Sequence, residues 1–475
     1  MRVTFIGHAS LLIEANGLSI LSDPWWNGPC FGAQWWPYPL PHTEPVRGRR
    51  VDFIYISHGH HDHFHPPTLR RLDRATRVLV AAKSELAGAI KELGFEVVEI
   101  GADREHALSH GVTCRILPTY ADDTLMVVSD GTETCLNLND ALHATPVAVR
   151  RHFCRLLRKL YPKLDYVFCG YGTASHFPNC YVIPGKDREL TAARRQAHFN
   201  RAWAEIIRNL EPRFGFPFAA DVAFLDDALF WSNEPVHNSE RPIQAFERAR
   251  RKRSRTRVFD IAPGFVIADG QVVVGRLRQP LSSERLARDY ANDLRRVNRV
   301  APVEAAAVEE VRALLEENIR RCLHYLRGYA RDYRCLIELR GAELGIEVTK
   351  RGESIAVLST PVGRRRPQGY DLVYRTRIAY LRQSLTTTYG HETLFVGSGG
   401  IFEYLDRATA RSGLHREIMV MLRPADQAPP ARVGGRAGML GMARRVARRL
   451  LGRAGQDLYD LERWTVFRSG LEDRA

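Results

Sequence analysis

Residues 57–65 read Ser57-His58-Gly59-His60-His61-Asp62-His63-Phe64-His65, directly after the apolar run Phe53-Ile54-Tyr55-Ile56. That run has the length and the β-branched and aromatic content of a buried strand. A loop at a strand's end can turn several side chains toward one point, so the pattern predicts a metal site. His58 and His60 can hold one ion, and Asp62 with His63 a neighbouring one. Imidazole suits zinc, iron and other first-row metals, and carboxylate adds hard-oxygen character. Five histidines within eight residues can also arise as a metal-adherent surface tract. The preceding strand and the His-x-His-x-Asp-His spacing favour the ligand reading.

Outward from this loop, residues 3–6, 11–14 and 18–21 read as a strand meander that turns at Asn16-Gly17. Further strand patterns fall at 78–81, 97–100, 112–117, 124–128 and 135–138, with a helix over 85–93. Helical spacing at 147–160 and 188–210 alternates with buried strands at 165–168 and 214–218. The expected fold class is α/β, two sheets sandwiched by helices, over residues 1–280. Residues 281–423 read as an α+β extension, with helices at 283–299 and 303–329 before a small sheet. Gly397-Ser398-Gly399-Gly400 reads as an ordinary turn before a helix at 401–408; phosphate cradling at that helix start is the alternative. Residues 424–475 read as a linker rich in Pro, Gly and Ala and a basic amphipathic tail, which docks on its own protein or lies on an anionic membrane.

The formal charge of +15 is mostly arginine, concentrated at 248–257 and 436–453. Such runs are solvated surface or face a small anionic partner, and nucleic acid is not expected. The eight cysteines form no CxxC pair, and Cys322-Leu323-His324 stands without a Cys-x-x-His. A zinc ribbon and an iron–sulfur cluster are therefore not expected, and the cysteines read as reduced core residues. No stretch approaches the ~20 apolar residues of a membrane span, and the N-terminus reads as a strand rather than a signal peptide. A soluble, cytoplasmic protein is expected.

The HxHxDH pattern resembles the signature of the metallo-β-lactamase superfamily. Its surroundings sharpen the likeness: Phe5-Ile6-Gly7-His8-Ala9-Ser10, Leu21-Ser22-Asp23-Pro24-Trp25, Gly28-Pro29, Phe31-Gly32, Trp35-Trp36 and Pro67-Thr68-Leu69. With Ala174-Ser175, Phe177-Pro178, Leu210-Glu211-Pro212-Arg213 and Pro217-Phe218-Ala219, residues 1 to about 270 resemble the catalytic domain of CMP-N-acetylneuraminate hydroxylase. A weaker echo appears around 375–402. The resemblance implies an αββα sandwich and two metal ions held by His58, His60, Asp62, His63, a later bridging Asp140, and two further ligands. The superfamily's third histidine is absent from Leu117-Pro118-Thr119-Tyr120-Ala121-Asp122-Asp123; Asp123 is the expected substitute, with Asp122 next, although both can be turn residues. His176 is the candidate for the last ligand, although the hydroxylase pattern carries glycine there. Asp62, Asp140 and His176 are the candidate catalytic groups, and His8, His65 and His143 are candidates to orient ligands.

The function this implies is an iron-dependent oxygenase or hydroxylase acting on a polar anionic metabolite such as a nucleotide-linked or amino sugar. The hydroxylase carries a Rieske domain that this sequence lacks, so an external ferredoxin or reductase is the expected electron donor. The alternative is a dinuclear-metal hydrolase, with zinc or manganese, that cleaves an ester, amide or phosphodiester. A binding protein with a structural metal ranks third, because open sites at strand ends usually carry chemistry.

Overall fold

Alternation along the strands writes two cores at once. In Ser10–Ala15, Leu11 and Ile13 enter one buried cluster while Leu12 enters another on the opposite face. In Thr124–Ser129, Met126 and Val128 join the first cluster, and Leu125 and Val127 face a third. Successive side chains of a strand point to opposite faces, so a strand apolar on both faces must be covered on both. The shared cluster lies between two sheets, and helices cover the outer faces. The computed structural model that shows this describes residues 1–424, except 110, 120–122, 173–177, 239, 327–330, 364–368 and 388–389.

Among the described residues the first sheet has eight strands, in the order Gln271–Val274, Val266–Ala268, Arg2–Gly7, Ser10–Ala15, Leu18–Ser22, Phe53–Tyr55, Arg77–Ala81, Glu96–Ile100. The second has seven: Arg257–Val258, Phe214–Phe218, Tyr166–Gly170, Thr134–Asn137, Thr124–Ser129, Val112–Pro118, His106–Ser109. Phe53–Tyr55 runs parallel to both its neighbours. Thr134–Asn137, Tyr166–Gly170 and Phe214–Phe218 are also mutually parallel. The loops that leave their C-terminal ends, 56–65 and 138–145, meet at one edge of the sandwich. Outside the second sheet, Trp203, Ile206 and Ile207 of the helix Arg188–Leu210 pack with Leu157 of Val147–Leu160 and Phe246 of Pro242–Ala249.

The C-terminal extension builds its own core. In the helix Ala305–Leu326, residues Val308, Val311, Leu315, Ile319, Cys322 and Leu326 recur every three or four positions and are buried. This apolar stripe packs on a six-stranded sheet: Tyr181–Val182, Gly400–Tyr404, Leu372–Thr376, Tyr333–Leu339, Leu344–Arg351, Ser354–Pro361. Tyr181–Val182 comes from the first half of the chain and pairs in parallel with Gly400–Tyr404, so the sandwich and the extension are stitched together.

Two local expectations need correction. Residues 401–408 are not one helix: Gly400–Tyr404 is a strand with Phe402 and Tyr404 buried, and a helix begins only at Arg407. The glycine turn therefore does not open a helix, which removes the phosphate-cradle alternative. The helix expected over 283–299 is broken at Tyr290 into Ser283–Asp289 and Ala291–Asn298; Tyr290 is buried there and donates to the Pro37 carbonyl. The linker and basic tail at 425–475 lie outside the described residues. All eight cysteines are buried and free. Among the described residues no helix is long and apolar enough to cross a membrane.

Candidate metal centre

His58 Nε2 lies 2.8 Å from His60 Nδ1 and 3.6 Å from Asp123 Oδ1, a grouping able to hold one ion. Beside it, His63 Nε2 lies 3.3 Å from Asp62 Oδ2 and 3.7 Å from Asp140 Oδ1. Asp140 Oδ1 is also 3.9 Å from His58 Nδ1, so this carboxylate stands between the two groups. Asp62 Oδ1, His63 Nε2 and Asp140 Oδ1 are buried and have no hydrogen-bond partner. Buried polar atoms are ordinarily paired, so several orphans turned to one place fit a bound cation. Six of the seven expected ligands are thus brought together. His176, and the alternative Asp122, lie outside the described residues.

The electrostatics of His58, His60 and Asp62 suit ligation, whereas His63 holds a proton that a cation must displace. Burial and the neighbouring His63 imidazole hold His58 below its ordinary value, and burial with His58 does the same to His60. Both are then neutral with a free lone pair. Burial pushes His63 down, but the carboxylates of Asp140, Asp62 and Asp23 outweigh it and leave it well above its usual range. Burial likewise pushes Asp62 up, yet His63 and His8 hold it well below the usual carboxylate range.

A surrounding shell sets these groups in place. Asp23, wholly buried, accepts from the Ser57 amide at 2.8 Å and hydroxyl at 2.7 Å, and meets His63 Nδ1 at 2.9 Å. His8 Nε2 lies 3.0 Å from Asp62 Oδ2, and its Nδ1 lies 3.2 Å from the Asp221 carbonyl. Asp221 is braced in turn by Arg278 at 2.7 Å and Tyr171 at 2.8 Å. Thr124 ties the second sheet to the metal loop by donating to the Ser57 carbonyl at 2.7 Å. Asn139, in a left-handed conformation at φ 38°, accepts from the Asp140 amide at 2.6 Å and donates to the Thr124 carbonyl.

Of the three histidines expected to orient ligands, His8 does so directly. His143 is buried beside Asp140 and bonds the Gly172 carbonyl. His65 is different: its Nδ1 bonds Thr68 Oγ1 at 2.8 Å and its Nε2 faces the Pro29 carbonyl at 3.3 Å, so it caps a helical turn. Asp23, Asn139 and Asp221 were not expected as positioning groups; only the Leu-Ser-Asp-Pro flank hinted at Asp23.

Four of the candidate ligands open onto a cavity of ≈ 1230 Å³. His58, His60, Asp123 and Asp140 line one side, and Glu392 and Phe395 of the extension line another. The extension therefore supplies part of the wall of the cavity beside the candidate metal centre.

Residues 2–121 match the family model described as beta-lactamase superfamily domain. A Rieske 2Fe-2S iron-sulfur protein of Mycolicibacterium smegmatis is 31% identical over 244 residues, 48% of this chain and 45% of that protein. One from Mycobacterium tuberculosis is 26% identical over 333 residues, 64% of this chain and 62% of its own. The chain thus spans roughly half to three fifths of the length of these curated relatives. The cytidine monophosphate-N-acetylneuraminic acid hydroxylase of Xenopus laevis is 40% identical over 76 residues, 15% of this chain and 12% of that enzyme. Among solved structures, a CmlA β-hydroxylase variant is 21% identical, covers 46% of each chain and has a TM-score of 0.33. A metallo hydrolase from Ignicoccus hospitalis is 15% identical over 56% of this chain and 97% of its own, with a TM-score of 0.38. Hydroxylases and hydrolases are both among these similar proteins; residues 2–121 of this chain match the beta-lactamase superfamily domain model, and its own two sheets with helices on their outer faces form an αββα sandwich.

Proposed function

We propose that this metalloenzyme is an iron-dependent oxygenase that hydroxylates a small polar metabolite. The observation that carries the reading is Asp123, whose carboxylate stands 3.6 Å from His58 Nε2, where the superfamily usually has a histidine. Three imidazoles and three carboxylates then face the centre, a harder donor set than a histidine-rich zinc site and one that suits iron. The hydroxylase and Rieske names of the partial relatives support the same direction.

When bound, the metal pair would supply oxygen activation, and the chain's own residues fix its surroundings. His58, His60 and Asp123 would hold one ion, Asp62 and His63 the other, and Asp140 both. Asp23 and His8 keep His63 and Asp62 from turning away. The 1230 Å³ cavity accommodates a substrate of sugar-nucleotide size, with its anionic part reaching toward the Arg423 side of the wall. Hydroxylation needs two electrons and two protons per oxygen molecule, one oxygen atom leaving as water; an external ferredoxin or reductase would deliver the electrons.

Metal analysis of protein purified without chelators tests this. About two irons per chain are expected, with oxygen uptake on addition of a reduced ferredoxin. Zinc alone, together with turnover of bis(p-nitrophenyl) phosphate under anaerobic conditions, would overturn the oxygenase reading in favour of a hydrolase.

A further inference from the structure

A second cavity, of ≈ 470 Å³, lies where the extension meets the sandwich. Its volume is in the range of small-molecule sites. The sandwich side contributes Gln34, Arg188 and Asp226, and the extension contributes Arg340, Arg377 and Ser398.

Arg188, half-buried at the start of the helix Arg188–Leu210, has no carboxylate partner among the described residues. Its guanidinium lies 4.1 Å over the Trp231 ring, Nη2 reaches only the Ala228 carbonyl at 3.4 Å, and Nε is buried without a partner. Burial outweighs the nearby Glu189 carboxylate and holds it below its ordinary value. Arg340 and Arg377 converge on one oxygen of Asp226, at 3.2 and 2.7 Å, so two positive charges share one buried carboxylate. Asp227 stands 3.9 Å from Arg340 but its side chain is 70% exposed. Arg375, by contrast, is paired with Glu338 and Glu403.

Ser398 is 2% exposed, and its hydroxyl has no oxygen or nitrogen partner, only the Cys180 thiol beside it. Its backbone is left-handed at φ 68°, a conformation disfavoured for serine. The turn is pinned on both sides: the Gly399 amide donates to the Thr393 carbonyl at 2.9 Å, and Thr376 Oγ1 to the Gly399 carbonyl at 2.7 Å. A buried hydroxyl and a guanidinium with no bonded carboxylate therefore line one cavity beside an arginine pair that converges on a single buried carboxylate oxygen.

We propose that this joint is a second ligand site, which takes a small molecule with an oxyanion head, a phosphate ester or a carboxylate. The anion would sit between Arg188 and the Arg340–Arg377 pair, with Ser398 donating to it. The turn that presents Ser398 and Gly399 here also presents Val396 to the metal-side cavity, so an occupant would buttress both.

Calorimetric titration of the full-length, metal-loaded protein with inorganic phosphate and with succinate, at constant ionic strength, tests the assignment. Saturable one-to-one binding of either anion is expected, and the one that binds identifies the head group. Arg188→Gln should weaken it about 10-fold or more, and Ser398→Ala several-fold, because each removes a donor to a charged acceptor. His60→Ala should leave it unchanged. No saturable binding of either anion would overturn the proposal, as would equal affinity in Arg188→Gln or loss in His60→Ala, which would put the anion at the metal centre. If Arg188→Gln fails to fold by circular dichroism, Ser398→Ala decides, and undiminished affinity there overturns it.

Discussion

Asp23 Oδ2 lies 2.9 Å from His63 Nδ1, and the same carboxylate takes both the amide and the hydroxyl of Ser57, so one buried side chain sets the aim of the metal loop. It holds the proton on His63 Nδ1, so that Nε2 is the nitrogen turned to the centre and the one that would release its proton to a bound cation. Asp23 has φ 37°, a left-handed conformation that asparagine tolerates better than most residues. Asp23→Asn should therefore keep the fold while turning an amide donor toward His63 and Ser57. Affinity for the ion at Asp62 and His63 should fall by about 10- to 100-fold, measured by competition with a chelating dye. Unchanged affinity with unchanged circular dichroism would show that Asp23 serves the fold alone.

Gly170 makes a less visible contribution. A Cβ there would lie 2.8 Å from the Asn139 carbonyl oxygen and from the Asp140 Cα, and 3.0 Å from His143 Nδ1. The turn carrying Asp140 packs on the strand only because this position has no side chain. Gly170→Ala should displace the turn and lower metal occupancy with little loss of secondary structure, at a stability cost on the order of 1–3 kcal/mol for overpacking. Elemental analysis and urea denaturation give the two readouts; full occupancy would mean that the turn adjusts without moving Asp140.

These two positions also mark where sequence reading stops. The histidine loop was legible because its signal is local: a strand, then ligands at fixed spacing. The sandwich was legible because Leu11, Leu12 and Ile13 already alternate between two apolar faces. Asp23 acts on residues 34 and 40 positions away, and Gly170 on a turn 30 positions upstream, and no local pattern announces such contacts. The strand Gly400–Tyr404 reads equally as helix because Gly400-Ile401-Phe402-Glu403-Tyr404 is too short for its period to decide. His65 resembled its ligand neighbours in chemistry, and only its bond to Thr68 reveals a cap. Spacing alone does not choose between the adjacent acids Asp122 and Asp123, of which only Asp123 lies among the described residues.

Glu392 gives the extension a measurable effect on the cavity. Burial, and then the Asp62 carboxylate, raise it from its ordinary 4.5 to about 7, and its Oε2 is buried without a hydrogen-bond partner. A raised acid binds its proton more tightly in the folded state. Below pH 4.5 both states are protonated and the residue is neutral in effect; as pH rises from 4.5 to about 7 the unfolded chain ionises first and stability falls. Glu392→Gln removes that ionisation. In chelator-treated protein it should be nearly silent near the acid end of this window and stabilising by on the order of 2–3 kcal/mol above its upper end. Urea denaturation at both ends checks this. A pH-independent difference would show that packing, not charge, governs the site. Bound metal adds positive charge nearby and should shrink the effect.

On the proposed function, Asp123 is the position that separates an oxygenase from a hydrolase. Its backbone is fixed independently of its side chain: its carbonyl accepts from the Thr119 amide and hydroxyl, both at 2.9 Å, and the next residue, Thr124, anchors to the Ser57 carbonyl. The side chain borders the large cavity, so an imidazole has room there. Asp123→His should therefore fold and bind metal, but with a softer donor its preference should move from iron toward zinc by about 10-fold or more. Oxygen uptake should fall with it, while hydrolysis of bis(p-nitrophenyl) phosphate should rise or appear. Asp123→Ala should instead weaken the ion shared with His58 and His60 by about 10-fold or more, without a change of preference. Competitive loading with iron and zinc, followed by elemental analysis, separates these outcomes. Metal preference and oxygen uptake that are unchanged in Asp123→His would mean that the carboxylate lies near the histidines without ligating, and the chemical character of the site would then rest on Asp62 and Asp140 alone.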